Sequence, residues 1–178
     1  MRSSSRTDIL DAAVRVVDTV QGTDITYESV AKEAGLSKAG LMYHFPTKDD
    51  MMIAIIEHVV DRWQRDLQAV LGIPLEQSTL AQRVAAFVAF AGEGTVTQGE
   101  FVVFSEAVRR EELAAPWLAY LRTWFGFSGD VDATSLLLVW LAANGLWISE
   151  ATGILHLAGE QRAALLTQML QLIEGEAA

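Results

Sequence analysis

The sequence predicts an all-α protein of about nine helices. Three observations carry that expectation. Apolar residues recur at three- and four-residue spacing over most of the 178 residues. Cap residues, glycines and prolines punctuate these runs. No segment alternates apolar and polar residues as a half-buried strand would.

In order, residues 6–20 set Ile9, Ala13, Val16, Val17 and Val20 on one stripe, with Leu10 and Val14 beside it, and the polar run 21–24 ends that helix. Thr26 caps a second helix bearing Val30, Ala31 and Ala34, and Gly35 is placed to stop it in the left-handed conformation. Ser37 caps a third, very short helix to about Tyr43, and Pro46 bars its continuation. Thr47 caps a long fourth helix, with Asp49 and Asp50 in the first turn, where the helix dipole favours acids. The pattern Met51, Ile55, Val59, Arg62, Trp63 carries it to about Leu71. A linker, 72–79, precedes a helix from Leu80 to Val96. Residues 101–108 form a short apolar helix, and 113–125 another with Pro116 in its first turn. After a break at 126–132, overlapping its start, a strongly apolar helix covers 131–149. An amphipathic helix over 160–174 closes the fold.

Length suits one large or two small domains with a real core. Hydrophobic residues make up 51% and mean hydropathy is +0.25, which raises a membrane reading. The longest apolar run, 136–149, is broken by Asn144 and Gly145 and falls short of the about 20 residues a spanning helix needs, so it reads as a buried helix. The N-terminus leads straight into an amphipathic pattern with no signal-peptide core, and a cytoplasmic protein is expected. With no cysteine, disulfides and thiolate chemistry are excluded. Net charge is −10, which taken whole argues against nucleic acid. The acidity is uneven: residues 1–56 hold six bases and eight acids, residues 57–178 seven bases and fifteen acids. Residues 34–48 carry two lysines, a histidine and no acid.

Residues 35–50, "GLSKAGLMYHFPTKDD", are therefore the informative stretch. Two helices joined by a turn holding a glycine form a helix-turn-helix pattern, whose second helix lies in the DNA major groove. Ala39 and Gly40 let that helix approach DNA closely, and Lys38 sits at its leading edge. Ser37 can cap the helix and still face a phosphate. Leu36, Leu41 and Phe45 would pin it from within. Tyr43 and His44 flank the groove as phosphate donors, and Lys48 reaches the phosphate backbone. Thr26 and Tyr27, at the start of the preceding helix, complete the candidate DNA contacts.

Residues 26–50, "TYESVAKEAGLSKAGLMYHFPTKDD", resemble the N-terminal signature of the TetR family of transcriptional regulators. Thr26, Val30, Ala31, Ala34, Gly35, Leu36, Ser37, Gly40, Leu41, Tyr43, His44, Phe45 and Lys48 stand at matching places. Met42 departs from the paired tyrosines of many members, and Met51 from the usual leucine. The resemblance implies a three-helix DNA-binding domain over residues 1–50, joined by the long fourth helix to a ligand-binding and dimerisation domain over 51–178. It further implies a homodimeric repressor of operator DNA, released by a small-molecule effector.

On that expectation the last two helices pair with their copies in a four-helix bundle, through Leu136, Val139, Ala143 and Leu146 and through Leu165, Leu166, Met169, Leu172 and Ile173. Aromatic residues crowd the second domain. Trp63, Phe87, Phe104, Trp124 and Trp140, with Asn144, His58 and Glu106, are the candidate pocket, whose rings and acid suit a lipophilic, drug-like cation. An enzyme finds no support. "GLSKAG" is not a nucleophile elbow, and the three histidines show no metal spacing. No cofactor or metal is expected. The rival reading is a helical protein that binds a small molecule or partner without reading DNA sequence, which the net acidity favours.

Overall fold

The computed structural model describes residues 6–19, 25–94, 97–126 and 133–176. Among these residues the regular elements are nine α-helices and two 3-10 turns. They are α1 (Arg6–Thr19), α2 (Tyr27–Glu33), α3 (Lys38–His44), α4 (Lys48–Leu71), α5 (Leu80–Gly92), α6 (Gln98–Arg109), α7 (Ala115–Trp124), α8 (Thr134–Ala151) and α9 (Gly159–Glu176). The expected end of the first helix at Val20 and its stop at 21–24 lie outside the described residues. So do 127–132, where the eighth helix was expected to start, and the side chain of Val17; the fifth helix, expected to reach Val96, ends at Gly92, where Glu93 caps it and Gly94 turns left-handed.

Caps set the boundaries. Thr26 Oγ1 accepts from the Ser29 amide while Ser29 Oγ accepts from the Thr26 amide. Thr79 with Gln82 opens α5 in the same way, and Thr97 with Glu100 opens α6. At α4 the partners are Thr47 and Asp50. Each exchange satisfies two amides that a helix start leaves without intrahelical partners. The Thr97 box also explains why α6 begins at Gln98, three residues ahead of its apolar run: its first turn is polar sequence. Leu113 belongs instead to the 3-10 turn Glu111–Leu113, so α7 starts at Ala115. Pro116 then occupies the first turn, where its missing N–H removes no intrahelical bond.

The chain divides into two compact units. One takes the described residues through Arg62 together with Thr97–Leu118; the other takes the described residues of 63–96 and those from Ala119 onward. The division differs from the expected boundary at 50/51. The reason is that α6 packs against α1, a contact between segments far apart in sequence that no local periodicity registers.

In the first unit Ile9, Ala13 and Val16 of α1 are buried together with Val30, Leu41, Phe45, Met51, Ile55, Val103 and Ala107. Two ion pairs fasten α6 to α4. The Arg62 guanidinium meets Glu100, which is only 2% exposed. Arg110, just past the end of α6, grips Asp49 through both terminal nitrogens at 2.9 Å. Such a bidentate pair fixes orientation as well as distance.

In the second unit α5 packs on α8 and α9, which also pack on each other. α9 comes so close to the end of α5 that a Cβ on Gly92 would stand 2.7 Å from Leu166 Cδ1. α8 is long and apolar enough to cross a membrane by length and composition. However, Leu136, Val139, Ala143, Leu146 and Trp147 bury one side of it within this unit.

That packing buries most of the expected pairing residues within the single chain. Leu136, Val139, Ala143 and Leu146 of α8 and Met169 and Ile173 of α9 are core residues of the single chain, and Leu165 and Leu166 are half-buried. Of the expected set, Leu172 is exposed. The large apolar side chains left outside are Leu137, Leu138 and Leu141 of α8, and Leu170 and Leu172 of α9. A helix that is apolar nearly all round offers no period from which to tell its inner stripe from its outer one.

Candidate nucleic-acid interface

The interface is built on the turn between α2 and α3. Gly35 holds φ at +67°, a conformation that only glycine adopts at little cost. With Gly35 there, its own amide donates to the Lys32 carbonyl at 3.3 Å and the Leu36 amide to the Ala31 carbonyl at 2.8 Å. This paired arrangement closes α2 and turns the chain sharply. Ser37 Oγ then accepts from the Gly40 amide at 3.1 Å and opens α3. Gly40 has a local reason to be small besides any approach to DNA: a Cβ there would meet Ser37 Oγ at 3.3 Å.

Leu41 and Phe45, both fully buried, anchor α3 from beneath, while Leu36 is half-buried. The Tyr27 hydroxyl donates to the Phe45 carbonyl at 2.7 Å, tying the start of α2 to the end of α3. The Arg6 guanidinium lies 4.6 Å above the Phe45 ring. A helix of two turns is unstable alone, and these contacts hold it.

What α3 presents outward is Lys38, Ala39, Met42 and Tyr43, with Ser37 at its head. Tyr43 is 86% exposed. His44 is half-buried, its ring edge-on to Tyr43 at 5.6 Å. Lys48 is exposed at the start of α4 and borders a crevice of about 260 Å³, lined also by Ile25, Met52, Val102, Glu106, Arg109 and Arg110. Thus Ser37, Lys38, Ala39, Tyr43 and Lys48 are exposed, and Gly40 and His44 partly so. Thr26 and Tyr27 have their hydroxyls engaged within the motif, which gives both a positioning role.

The acid-free window at 34–48 is a property of sequence only. Lys38 Nζ meets Glu28 of α2 at 2.7 Å, and the hydrogen bond from Lys38 holds the Glu28 carboxyl below its usual range. Both side chains are more than half exposed, so the pair is weak and readily exchanged for another partner. Partial burial, followed by the charge of Asp50, pushes the Tyr27 phenol up. The Arg110 hydrogen bonds hold the Asp49 carboxyl down.

The eight pocket candidates divide between the two units. His58, Phe104 and Glu106 belong to the first unit and the other five to the second. His58 Nε2 is 2.7 Å from Asp11 Oδ1, Phe104 packs edge-on against Trp117 at 4.8 Å, and Glu106 accepts from Arg109 at 3.0 Å. In the second unit Trp63, Phe87, Trp124 and Trp140 do join one aromatic cluster. Phe87 stacks on Trp140 at 6.3 Å, and Phe125 bridges Phe87, Trp140 and Trp124. Trp63 meets Trp147 at 5.3 Å. Phe90, Tyr120, Phe125 and Trp147 belong to the same cluster, and the aromatic composition was their only signal. Burial pushes the Tyr120 phenol up. Trp124 is 2% exposed, and its indole N–H finds no acceptor among the described residues. Asn144 donates one N–H to the Trp140 carbonyl at 2.8 Å, one turn back in its own helix.

A glycine-turned helix pair with a braced, outward-facing second helix is a helix-turn-helix DNA-binding domain, here followed by helical units. Residues 9–55 match the family model described as bacterial regulatory proteins, tetR family. Residues 95–174 match that of the tetracyclin repressor-like C-terminal domain. The chain belongs to the TetR family of regulators. Among its relatives is the HTH-type transcriptional regulator BetI of Brucella canis, 30% identical over 120 residues, or 67% of this chain and 53% of that protein. The chain thus spans about half the length of the curated relatives it matches. A transcriptional regulator from Rhodococcus sp. Rha1 superposes with a TM-score of 0.66 at 20% identity, covering 96% of this chain and 97% of the other. The multidrug binding protein EbrR complexed with ethidium gives 0.63 at 22% identity, covering 92% and 96%. At these identities the likeness is one of fold.

Proposed function

We propose that the protein is a homodimeric, cytoplasmic transcriptional regulator that binds operator DNA through α3 and leaves it when a small lipophilic effector binds the helical region beyond. The observation that carries this reading is the α2–turn–α3 geometry. The left-handed Gly35 and the buried Leu41 and Phe45 hold α3 so that Ser37, Lys38, Ala39 and Tyr43 face outward. Lys48 adds a cation at the next helix start, and a positive, hydrogen-bonding edge of this kind suits phosphate backbone beside a groove. Pairing of two copies is supported by Leu137, Leu138, Leu141, Leu170 and Leu172, which α8 and α9 leave exposed. An obligate dimer buries such apolar surface between its copies. The effector reading rests on the aromatic cluster around Phe87, Phe125 and Trp140, and EbrR, of the same fold, is a protein complexed with the aromatic cation ethidium.

The test is fluorescence anisotropy with DNA from upstream of the protein's own gene, against scrambled DNA of equal length. Sequence-specific binders exceed their non-specific affinity by roughly 10³-fold or more. Lys38→Ala and Lys48→Ala should each weaken binding, and loss of the Lys48 phosphate contact should reduce the salt slope by about one. If neither lysine matters, the docking of α3 is wrong. If no genomic fragment is preferred, the acidic net charge points instead to a helical ligand- or partner-binding protein. Aromatic cations added to the specific complex should dissociate it.

A further inference from the structure

The outward face of α3 carries a side chain that the phosphate-contacting set does not use. Met42 is 43% exposed, three residues after Ala39 and four after Lys38, so the three share one helix face. Met42 is an unusual residue to leave in water at the centre of a short helix whose other long apolar side chains, Leu41 and Phe45, are fully buried. Of Lys38, Ala39 and Met42, only Lys38 has a side chain that can donate a hydrogen bond to a base. Ala39 and Met42 can donate none.

A base pair offers one apolar feature in the major groove, the C5-methyl of thymine. An unbranched, polarizable thioether can settle against such a methyl without needing a hydrogen-bond partner. Resting on the DNA-binding reading above, we propose that Met42, with Ala39 beside it, forms an apolar reading edge that selects thymine at one step of each operator half-site. Lys38 supplies the neighbouring polar contact, to guanine O6 or N7, once it leaves Glu28. Met42 is then a specificity-determining residue, and the operator class is one with a thymine methyl beside the Lys38 contact. Two symmetry-related steps should behave alike, because a dimer presents the same face twice.

The experiment replaces thymine by uracil, which removes the methyl and leaves every hydrogen-bonding group in place. The full chain first selects a duplex from a random library, and each thymine of that duplex is then exchanged in turn. Wild-type protein should lose about three- to fivefold in affinity at one symmetric pair of positions, the worth of one methyl taken from water. Met42→Ala should lose that sensitivity at the same positions while keeping its far-UV circular dichroism, and Met42→Leu, still apolar, should keep it. If the library yields no preferred duplex, the DNA-binding reading fails and this proposal with it. If a duplex is selected but no uracil position weakens binding, or if Met42→Ala is as methyl-sensitive as wild type, the methyl-reading role is overturned and the DNA-binding reading stands.

Discussion

Replacing Tyr27 by phenylalanine separates two roles for one residue. As a DNA contact, Tyr27 would lend its hydroxyl to a phosphate. In the structure that hydroxyl is already given to the Phe45 carbonyl at 2.7 Å, across the turn that sets the angle of α3. Tyr27→Phe keeps the ring and removes one donor, leaving a partly buried carbonyl without it. The net worth of such a bond is ~0.5–1.5 kcal/mol. The loss should appear in urea unfolding of the first unit and as faster amide exchange at the C-terminal end of α3. DNA affinity should fall only modestly, because the brace and not a direct contact is lost, and the salt slope should stay unchanged, because no charge is removed. The phenol is raised above its ordinary value of 10.0. The contribution of its protonated form is therefore fully present below pH 10 and is lost as pH rises through the higher folded value. The stability difference between wild type and variant should accordingly be flat across neutral pH and shrink only in the alkaline range. A clear loss of DNA affinity, with stability and amide exchange untouched, would refute the bracing role and restore Tyr27 to the DNA contacts.

Other perturbations follow from the same coordinates. A Cβ on Gly35 meets nothing within 4 Å, so Gly35→Ala carries only the left-handed backbone penalty of ~1–2 kcal/mol, partly offset in the unfolded chain. Gly35→Asn should recover much of the loss in thermal unfolding, and equal melting points for both variants would contradict this account. Arg62→Ala takes the charge partner from the buried Glu100 carboxylate, leaving it the Thr97 amide. Since the Arg62 side chain is 36% exposed, the loss should sit toward the lower end of the ~3–5 kcal/mol typical of a broken buried pair, and Arg62→Ala with Glu100→Gln should be more stable than Arg62→Ala alone. Leu138→Glu with Leu141→Glu should give folded monomers in analytical ultracentrifugation, whereas Val139→Glu should unfold the second unit; a dimer that survives the exposed pair would move the interface elsewhere. Glu28→Gln should tighten DNA binding severalfold at low salt by freeing Lys38, a gain that vanishes at high salt.

Sequence reading located the helices well where a cap and a period agreed. Thr26, Ser37 and Thr47 each stand where a helix begins, and Gly35 stands at the left-handed stop. The start of α6 lies three residues earlier than expected because its capping turn is polar, and the docking of α6 on α1 left no local mark, being a long-range contact between two ordinary amphipathic stripes. Which side of α8 is buried within the single chain was illegible for a reason of the same kind. With leucine, valine or tryptophan on nearly every side of that helix, only the packed partners α5 and α9 decide which stripe is core.

The outward side chains of α3 were more legible than the aromatic cluster, and the difference is physical. A helix-turn-helix is local: some twenty-five consecutive residues hold the turn, the anchors and the exposed edge, so spacing alone orders them. A pocket is assembled from separate helices, and an aromatic residue looks the same in sequence whether it fills a core or lines a cavity. The electrostatics lie between these cases. The window 34–48 is free of acid, yet folding brings Glu28 against Lys38 and Asp49 against Arg110. Two positive groups near the motif are therefore already occupied before any DNA arrives. In the proposed complex, binding would exchange a weak exposed ion pair for a phosphate or base contact, so the energy gained per lysine would be less than a bare count of charges suggests. This leaves a larger share of discrimination to Ala39, Met42 and Tyr43, the uncharged side chains that α3 holds outward.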